Sequence, residues 1–221
     1  MHHALVSTRF YRRLQNRDRV HAYWRDPMDG TNRPEGYLLK EGRSRLLVDL
    51  VRKHAPPDPT VLEIGCNVGR NLQFLHEAGY RRLSAIEISE KAVQLMREAY
   101  PEMSRQATVH NQPVEEVIRT FPDGAFDVVF TMAVLEHIHT ASEWIFAEMM
   151  RISKRLVITI EDERSLSWKH FARDYGRVFQ ALGMEQVESA RCDDVEGLGE
   201  NFFARAFVRR GPGAAGAAGE S

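Results

Sequence analysis

The sequence predicts an α/β fold: one mostly parallel, seven-stranded sheet with an antiparallel final strand, helices on both faces and an N-terminal helical cap. Three observations carry this. Strand and helix patterns alternate from residue 60 to residue 161, as a parallel sheet with crossover helices requires. A glycine turn, Gly65-Cys66-Asn67-Val68-Gly69, joins the first strand to its helix. The last two strand patterns are joined by a Gly-rich loop too short for a crossover helix, so that pair is antiparallel.

Residues 4 to 24 read as a basic amphipathic helix, followed by turn-rich hinge material at Asp26-Pro27-Met28-Asp29-Gly30 and Asn32-Arg33-Pro34-Glu35-Gly36. Residues 1 to 37 are therefore expected to form a cap and hinge. Leu39, Leu46, Leu47, Leu50 and Val51 recur at helical spacing over 38 to 54, and Pro56-Pro57-Asp58-Pro59 ends that helix before the sheet begins. Strands are then expected at 60 to 64, 82 to 87, 106 to 110, 126 to 131 and 155 to 161, with helices at 68 to 78, 89 to 99, 113 to 120 and 140 to 152. A helix near 167 to 182 ends at Gly183, and the closing strands are 184 to 191 and 201 to 208. Residues 38 to 210 thus form one catalytic-sized domain. The tail 211 to 221 has nothing large to bury, and disorder is expected there.

Composition narrows the class. With 221 residues, 43% hydrophobic and 28% charged, the chain has the balance of a globular protein with one well-buried domain. No run approaches 18 apolar residues and the N-terminus lacks an apolar h-region, so no membrane span or secretory signal is expected and the location expected is cytoplasmic. Cys66 and Cys192 lie far apart, which argues against a structural disulfide. Residues 1 to 37 carry seven arginines against four acids, whereas the remainder carries 23 basic and 27 acidic residues. This asymmetry fits either a solvated helix face docked on an acidic body or a lid that attracts an anionic substrate.

The chemistry concentrates around the glycine turn. Glu63 precedes it, where a carboxylate repels phosphate and attracts an ammonium or sulfonium. Glu87 ends the next strand 22 positions past Gly65, the separation at which a βαβ crossover sets the second strand's end beside the first turn, and it suits a ribose diol. The ligand expected has a ribose and a positive charge but no pyrophosphate. A dinucleotide fingerprint starting at Gly65 would need glycine at positions occupied by Asn67 and Arg70.

Glu63-x-Gly65-x-Asn67-x-Gly69 resembles motif I of the class I S-adenosylmethionine (SAM)-dependent methyltransferases, with asparagine, a residue tolerant of positive φ, at the middle glycine. Glu87 resembles the acid of motif II, Asn111-Gln112-Pro113-Val114 lies where adenine is held, and Phe126 to Phe130 with Leu135-Glu136-His137-Ile138 resembles motif IV and the segment after it. The resemblance covers roughly residues 38 to 210. It implies a Rossmann-like fold, SAM as methyl donor with S-adenosylhomocysteine as product, and cofactor contacts from Glu63, Gly65, Cys66, Asn67, Gly69, Glu87, Ile88, Asn111, Gln112, Thr131 and Met132. For Asn111 and Gln112 a second reading stands open, capping of the helix that starts near Pro113.

On the acceptor side, His137 is the candidate general base for a hydroxyl or amine, since an ordinary imidazole titrates near neutrality; the alternative is a helix-start histidine bonded to backbone. Glu136, His137 and His139 have no partner at metal-ligand spacing, so no metal is expected. Tyr23, Trp24, Arg25 and Tyr37 from the cap, with Arg164, Lys169 and Arg173 from the loop after the fifth strand, are expected to form a pocket of cations and rings for a small anion. The expected reaction is O-methylation of a carboxylate, phosphonate or phosphate, as in natural-product O-methyltransferases. N-methylation of an amine or peptide N-terminus, with an acidic pocket from Glu136, Glu161 or Asp162, is the alternative. A non-catalytic SAM-binding role is a further one. An RNA methyltransferase, its cap arginines and aromatic rings gripping the nucleic acid, is a weaker alternative, because the chain is slightly acidic overall and Thr131-Met132-Ala133-Val134 lacks the Asn/Asp-Pro-Pro-aromatic signature of base-amino methyltransferases.

Overall fold

The computed structural model describes residues 15–27, 30, 32–39 and 41–209. Most of the predicted 4–24 helix and the whole 211–221 tail lie outside the described residues. The first described helix, α1 (Arg17–Arg25), starts where the Asn16 side chain accepts from the Arg19 amide. A 3₁₀ turn (Pro34–Tyr37) leads into α2 (Glu41–His54), whose Leu47, Leu50 and Val51 are buried.

Seven strands follow: β1 (Val61–Ile64), β2 (Leu83–Ile86), β3 (Thr108–His110), β4 (Phe126–Met132), β5 (Ser153–Asp162), β6 (Met184–Arg191) and β7 (Phe202–Arg209). Their order is β3-β2-β1-β4-β5-β7-β6, and β7 alone runs antiparallel to its two neighbours. The intervening helices are α3 (Arg70–Glu77), α4 (Glu90–Ala99), α5 (Pro101–Gln106), α6 (Val114–Val117), α7 (Trp144–Ile152) and α8 (Tyr175–Ala181). The fold is the Rossmann-like sheet that the alternation predicts.

Strand periodicity divides the core into two layers. Val61, Val128, Phe130 and Ile158 face α2, α3, α4 and α5, while Leu62, Ile64, Val129 and Val157 face α6, α7 and α8. All eight of these strand residues are within 1% of full burial, as a sheet covered on both faces requires. Each such aliphatic side chain contributes about 1.5–3 kcal/mol relative to exposure.

The differences from the predicted elements have local causes. Helix α5 is absent from the prediction; Pro101 at its first turn pre-sets the backbone for it. The helix expected over 167 to 182 begins only at Tyr175, because Asp174 caps it by accepting from the Arg177 amide. Upstream, Asp162 Oδ1 accepts from the amides of Arg164 and Ser165, and Ser167 Oγ accepts from those of Lys169 and His170. These side-chain turns compete with helical bonding and leave 163–174 as a loop. The 113–120 helix is a single α turn followed by a 3₁₀ turn (Ile118–Thr120), and the 140–152 helix starts at Trp144 after a 3₁₀ turn (Thr140–Ser142).

Candidate functional site

A cleft opens at the C-terminal ends of β1, β2 and β4, where ligands of open α/β sheets bind. Its floor is the glycine turn. Gly65, Asn67 and Gly69 have φ of 73°, 48° and 70°, so the asparagine occupies the left-handed conformation expected of it. A methyl group on Gly65 would sit 2.5 Å from a Val134 methyl carbon, and one on Gly69 equally close to the Met96 sulfur. Glycine is needed at both places for conformation and for packing.

Two buried carboxylates frame the turn. Glu87 Oε2 accepts from the Asn67 amide at 2.7 Å and Oε1 from the Ser89 amide at 2.8 Å, so the backbone fixes the carboxylate and a lone pair remains on each oxygen. Burial raises its pKa, against these amides. Glu63 Oε1 accepts from Asn71 Nδ2 at 2.7 Å, and its Oε2 has no partner. Burial pushes Glu63 up to about 8. Asn71 Oδ1 in turn accepts from Ser44 Oγ, whose oxygen accepts from Arg70 Nε, while Arg70 Nη1 donates to the Tyr37 carbonyl at 2.6 Å. Arg70 is thus buried among acceptors; burial brings its guanidinium down to about 10, still charged at neutral pH.

Of the expected cofactor contacts, Glu63, Gly65, Cys66, Asn67, Glu87, Ile88, Gln112 and Met132 line the cleft. Gly69, Asn111 and Thr131 do not: Gly69 starts α3, Thr131 is buried within β4, and Asn111 Nδ2 donates to the Glu87 carbonyl at 2.8 Å. Asn111 also does not cap α6, whose N-terminus has no side-chain cap. It ties the ends of β2 and β3 together instead.

The acceptor side differs more from expectation. The cap helix does form a wall of the cleft through Val20, His21 and Trp24, and Tyr37 joins it. His21 Nε2 lies 3.0 Å from Glu115 Oε1, Gln15 Nε2 donates to the carbonyls of Ser167 and His170, and Arg19 stacks on Trp168. The cation pocket does not assemble. Arg25 is exposed, Arg164 lies over the Phe203 ring, and Arg173 donates to the carbonyls of Leu135, Phe171 and Ile138 and to Glu143. Lys169 Nζ donates to Tyr23 Oη at 2.6 Å, and neither residue lines the cleft. Arg164, Lys169 and Arg173 instead bind the loop to the body and the cap.

Among the described residues, Arg43 and Arg70 bring cations to the cleft; Arg43, from the start of α2, is a residue that no motif singled out. It is 5% exposed, one Nη donates to the Gly197 carbonyl, and its Nε has no partner. Burial lowers its pKa, partly offset by Tyr37 and by Glu136 next to His137. The only sequence signal for Arg43 and Arg70 is an arginine on the apolar stripe of a helix or directly after the glycine turn.

His137 lines the cleft at its acceptor end, with the Trp24 ring 4.3 Å away. Its Nδ1 donates to the Lys169 carbonyl at 2.8 Å, leaving Nε2 with a lone pair. Burial brings its pKa down to about 3, with the neighbouring His170 and Lys169 acting in the same direction. The near-neutral value expected for a general base is not met: this imidazole stays neutral and is a weak proton acceptor. The proposed acidic amine pocket is also taken up structurally. Glu161 Oε2 accepts from the Val134 and Leu135 amides, both at 2.9 Å, and Glu136 Oε2 accepts from the Asp162 amide at 2.5 Å.

A carboxylate beside a glycine turn, a second one at the end of β2 and an orphaned buried oxygen on Glu63 together fit a ligand with a ribose diol and a cationic amino-acid end, as SAM has. The sheet and this donor set resemble those of the class I methyltransferases. Comparison with known proteins agrees: residues 61–155 match the model of the family described as "Methyltransferase domain". The chain is 26% identical over 160 residues to 2-methyl-6-phytyl-1,4-hydroquinone methyltransferase of Synechocystis, a match covering 69% of this chain and 48% of that protein. It is 26% identical over 155 residues to the eEF1A lysine and N-terminal methyltransferase of Danio rerio, covering 65% of this chain and 22% of that protein. The chain therefore spans less than half the length of both relatives. Among solved structures, magnesium protoporphyrin IX methyltransferase from Synechocystis with bound SAM superposes with a TM-score of 0.65 at 18% identity, covering 88% of this chain and 97% of that one. Geranyl diphosphate C-methyltransferase from Streptomyces coelicolor gives 0.64 at 14% identity, with 89% of each chain covered. The chain thus has the fold of the class I SAM-dependent methyltransferases, with a methyltransferase-domain match over residues 61–155.

Proposed function

We propose that this protein methylates a small acidic metabolite at oxygen, of the carboxylate, phosphonate or phosphate kind met in natural-product pathways. The observation that carries this reading is Arg43: a buried guanidinium on the cleft wall whose Nε lacks a partner matches an oxyanion. The neutral, weakly basic His137 supports it too, since an ionised oxygen needs no proton removed. SAM supplies an electrophilic methyl group; the acceptor oxygen takes it as the carbon–sulfur bond breaks, and the anion's charge cancels the sulfonium's. In this reading Glu87 holds the ribose hydroxyls and Glu63 the ammonium. Ile88, Gln112 and Val114 flank the adenine, and the Trp24 and His137 rings orient the acceptor and exclude water. Residues 1–37 act as the lid of this domain, and the free Cys66 and Cys192 suit a reducing cytoplasm.

The test is Arg43→Met. The KM for the acidic acceptor rises about ten- to a hundredfold, in line with the roughly 1.5–3 kcal/mol of a charge-assisted hydrogen bond, while the KM for SAM changes little. A rise confined to SAM would assign Arg43 to the cofactor's carboxylate and remove the support for an anionic acceptor. His137→Ala lowers turnover but does not abolish it, since an ionised oxygen needs no proton removed; an inactive variant combined with a silent Arg43→Met points to a hydroxyl or amine acceptor.

A further inference from the structure

Next to the cleft's acceptor end, Glu136, His137 and His170 each bring one ligand-type atom to within 4.8 Å of the others. The sequence separates His170 from His137 and Glu136 by 33 and 34 positions, and only the return of the 163–174 loop onto the 3₁₀ turn Leu135–His137 unites them. His139, the third member considered from sequence, turns away: its Nδ1 accepts from the Ala141 amide and its ring packs on Phe171.

Each of the three groups is held from behind. The His137 Nδ1 proton goes to the Lys169 carbonyl at 2.8 Å, which leaves Nε2 facing the cluster. His170 Nδ1 shares a hydrogen bond with Ser167 Oγ at 2.6 Å, so the nitrogen left over is Nε2. Glu136 Oε2 accepts from the Asp162 amide, which leaves Oε1, 3.6 Å from His137 Nε2. That separation is too long for a hydrogen bond, so the two groups do not satisfy each other. Partners of this kind fix the ring tautomers and orientations that a metal requires of its ligands. Around a tetrahedral ion with bonds of about 2.0–2.2 Å, ligand atoms stand about 3.3 Å apart, so side-chain shifts of about 1 Å would close the triad. Lys169 carries an opposing charge nearby, but its ammonium is directed to Tyr23 Oη and the Tyr23 and Trp24 rings, and the acids Glu161 and Asp162 lie beside Glu136.

We propose that Glu136, His137 and His170 bind a divalent transition-metal ion of the zinc class, a two-histidine, one-carboxylate site whose remaining position faces the cleft through His137. Nitrogen-rich ligation of this sort selects zinc, cobalt or iron(II) over magnesium. Because His137 lines the cleft, an acceptor oxygen is the natural fourth ligand; this last step rests on the proposed function, whereas ion binding does not.

The experiment uses the metal alone, without SAM or acceptor. In the full chain with His2 and His3 replaced by alanine to remove the terminal pair, Zn²⁺ is titrated by calorimetry and Co²⁺ by visible absorption. One ion per chain, micromolar or tighter, with the absorption of low-coordinate Co²⁺ is expected. His170→Ala weakens both at least tenfold, as does Glu136→Gln, while Mg²⁺ fails to compete. No binding below about millimolar, or affinity unchanged by His170→Ala in a chain whose circular dichroism is native, overturns the site. If Glu136→Gln does not fold, the His170→Ala comparison decides alone. Loss of metal binding leaves the methyl-transfer reading intact, and loss of methyl transfer leaves the metal result intact.

Discussion

The Glu87 carboxylate and the Asn67 amide meet at 2.7 Å, joining the end of β2 to the middle of the glycine turn after β1. This bond makes Glu87 part of the turn's structure, and in the proposed reading the same carboxylate accepts from the ribose, so the turn and the proposed ribose site form one unit.

Glu87→Ala should weaken SAM binding by about 1.5–3 kcal/mol, or roughly ten- to a hundredfold, the cost of losing a charged acceptor. Glu87→Gln should recover part of this, since its carbonyl can still accept one amide. Calorimetric titration with SAM checks both, and an unchanged affinity for the alanine variant would remove Glu87 from the site.

If Glu63 holds the SAM ammonium as proposed, SAM binding should depend on pH. With its pKa at about 8 in the free protein, it holds a proton at pH 6 to 7.5, whereas an ammonium partner favours the ionised form. Binding then expels a proton, and affinity rises as pH increases over this interval, by up to about tenfold per unit. Glu63→Gln should flatten the slope. For folding, the raised value works the other way: the native state keeps a proton that the unfolded chain gives up from about pH 4.5. This group's contribution is thus complete below that pH and is lost as pH rises through 8. Titrations in buffers of different ionisation enthalpy report the proton released, and buffer-independent heats would contradict the assignment.

Removing residues 1–37 should leave a folded domain, because α2 and the sheet keep their own core, but methyl transfer should fall strongly as Val20, Trp24 and Tyr37 leave the cleft wall. Circular dichroism and turnover measured on the same sample check this. A folded truncation with full activity would show that the segment is not a lid.

The sheet was legible because both its signals are local: alternation gives strands and helices, and a short last connection forces β7 antiparallel. The placement of Glu63, Asn67 and Glu87 around one turn was legible for the same reason, since they stand at fixed sequence distances from it. The acceptor side was not. Arg164, Lys169 and Arg173 carry the right charge, but their partners are carbonyls and rings supplied by distant segments, such as Ile138 for Arg173 and Tyr23 for Lys169. Arg43 and His170 reach their places only through tertiary folding, one on an otherwise apolar helix stripe and the other on a loop that reads as a helix. His137 was found by position, but its basicity depends on burial, which sequence does not display.

The most direct test of the account is a reaction of the purified chain with SAM carrying an isotopically labelled methyl group and a fractionated small-molecule extract, read by mass spectrometry. The expected result is a metabolite that gains the labelled methyl on a carboxylate, phosphonate or phosphate oxygen, with S-adenosylhomocysteine formed in equal amount and both lost in Glu87→Ala. A labelled methyl on an amine nitrogen, or S-adenosylhomocysteine absent with every fraction while SAM still binds, would contradict it.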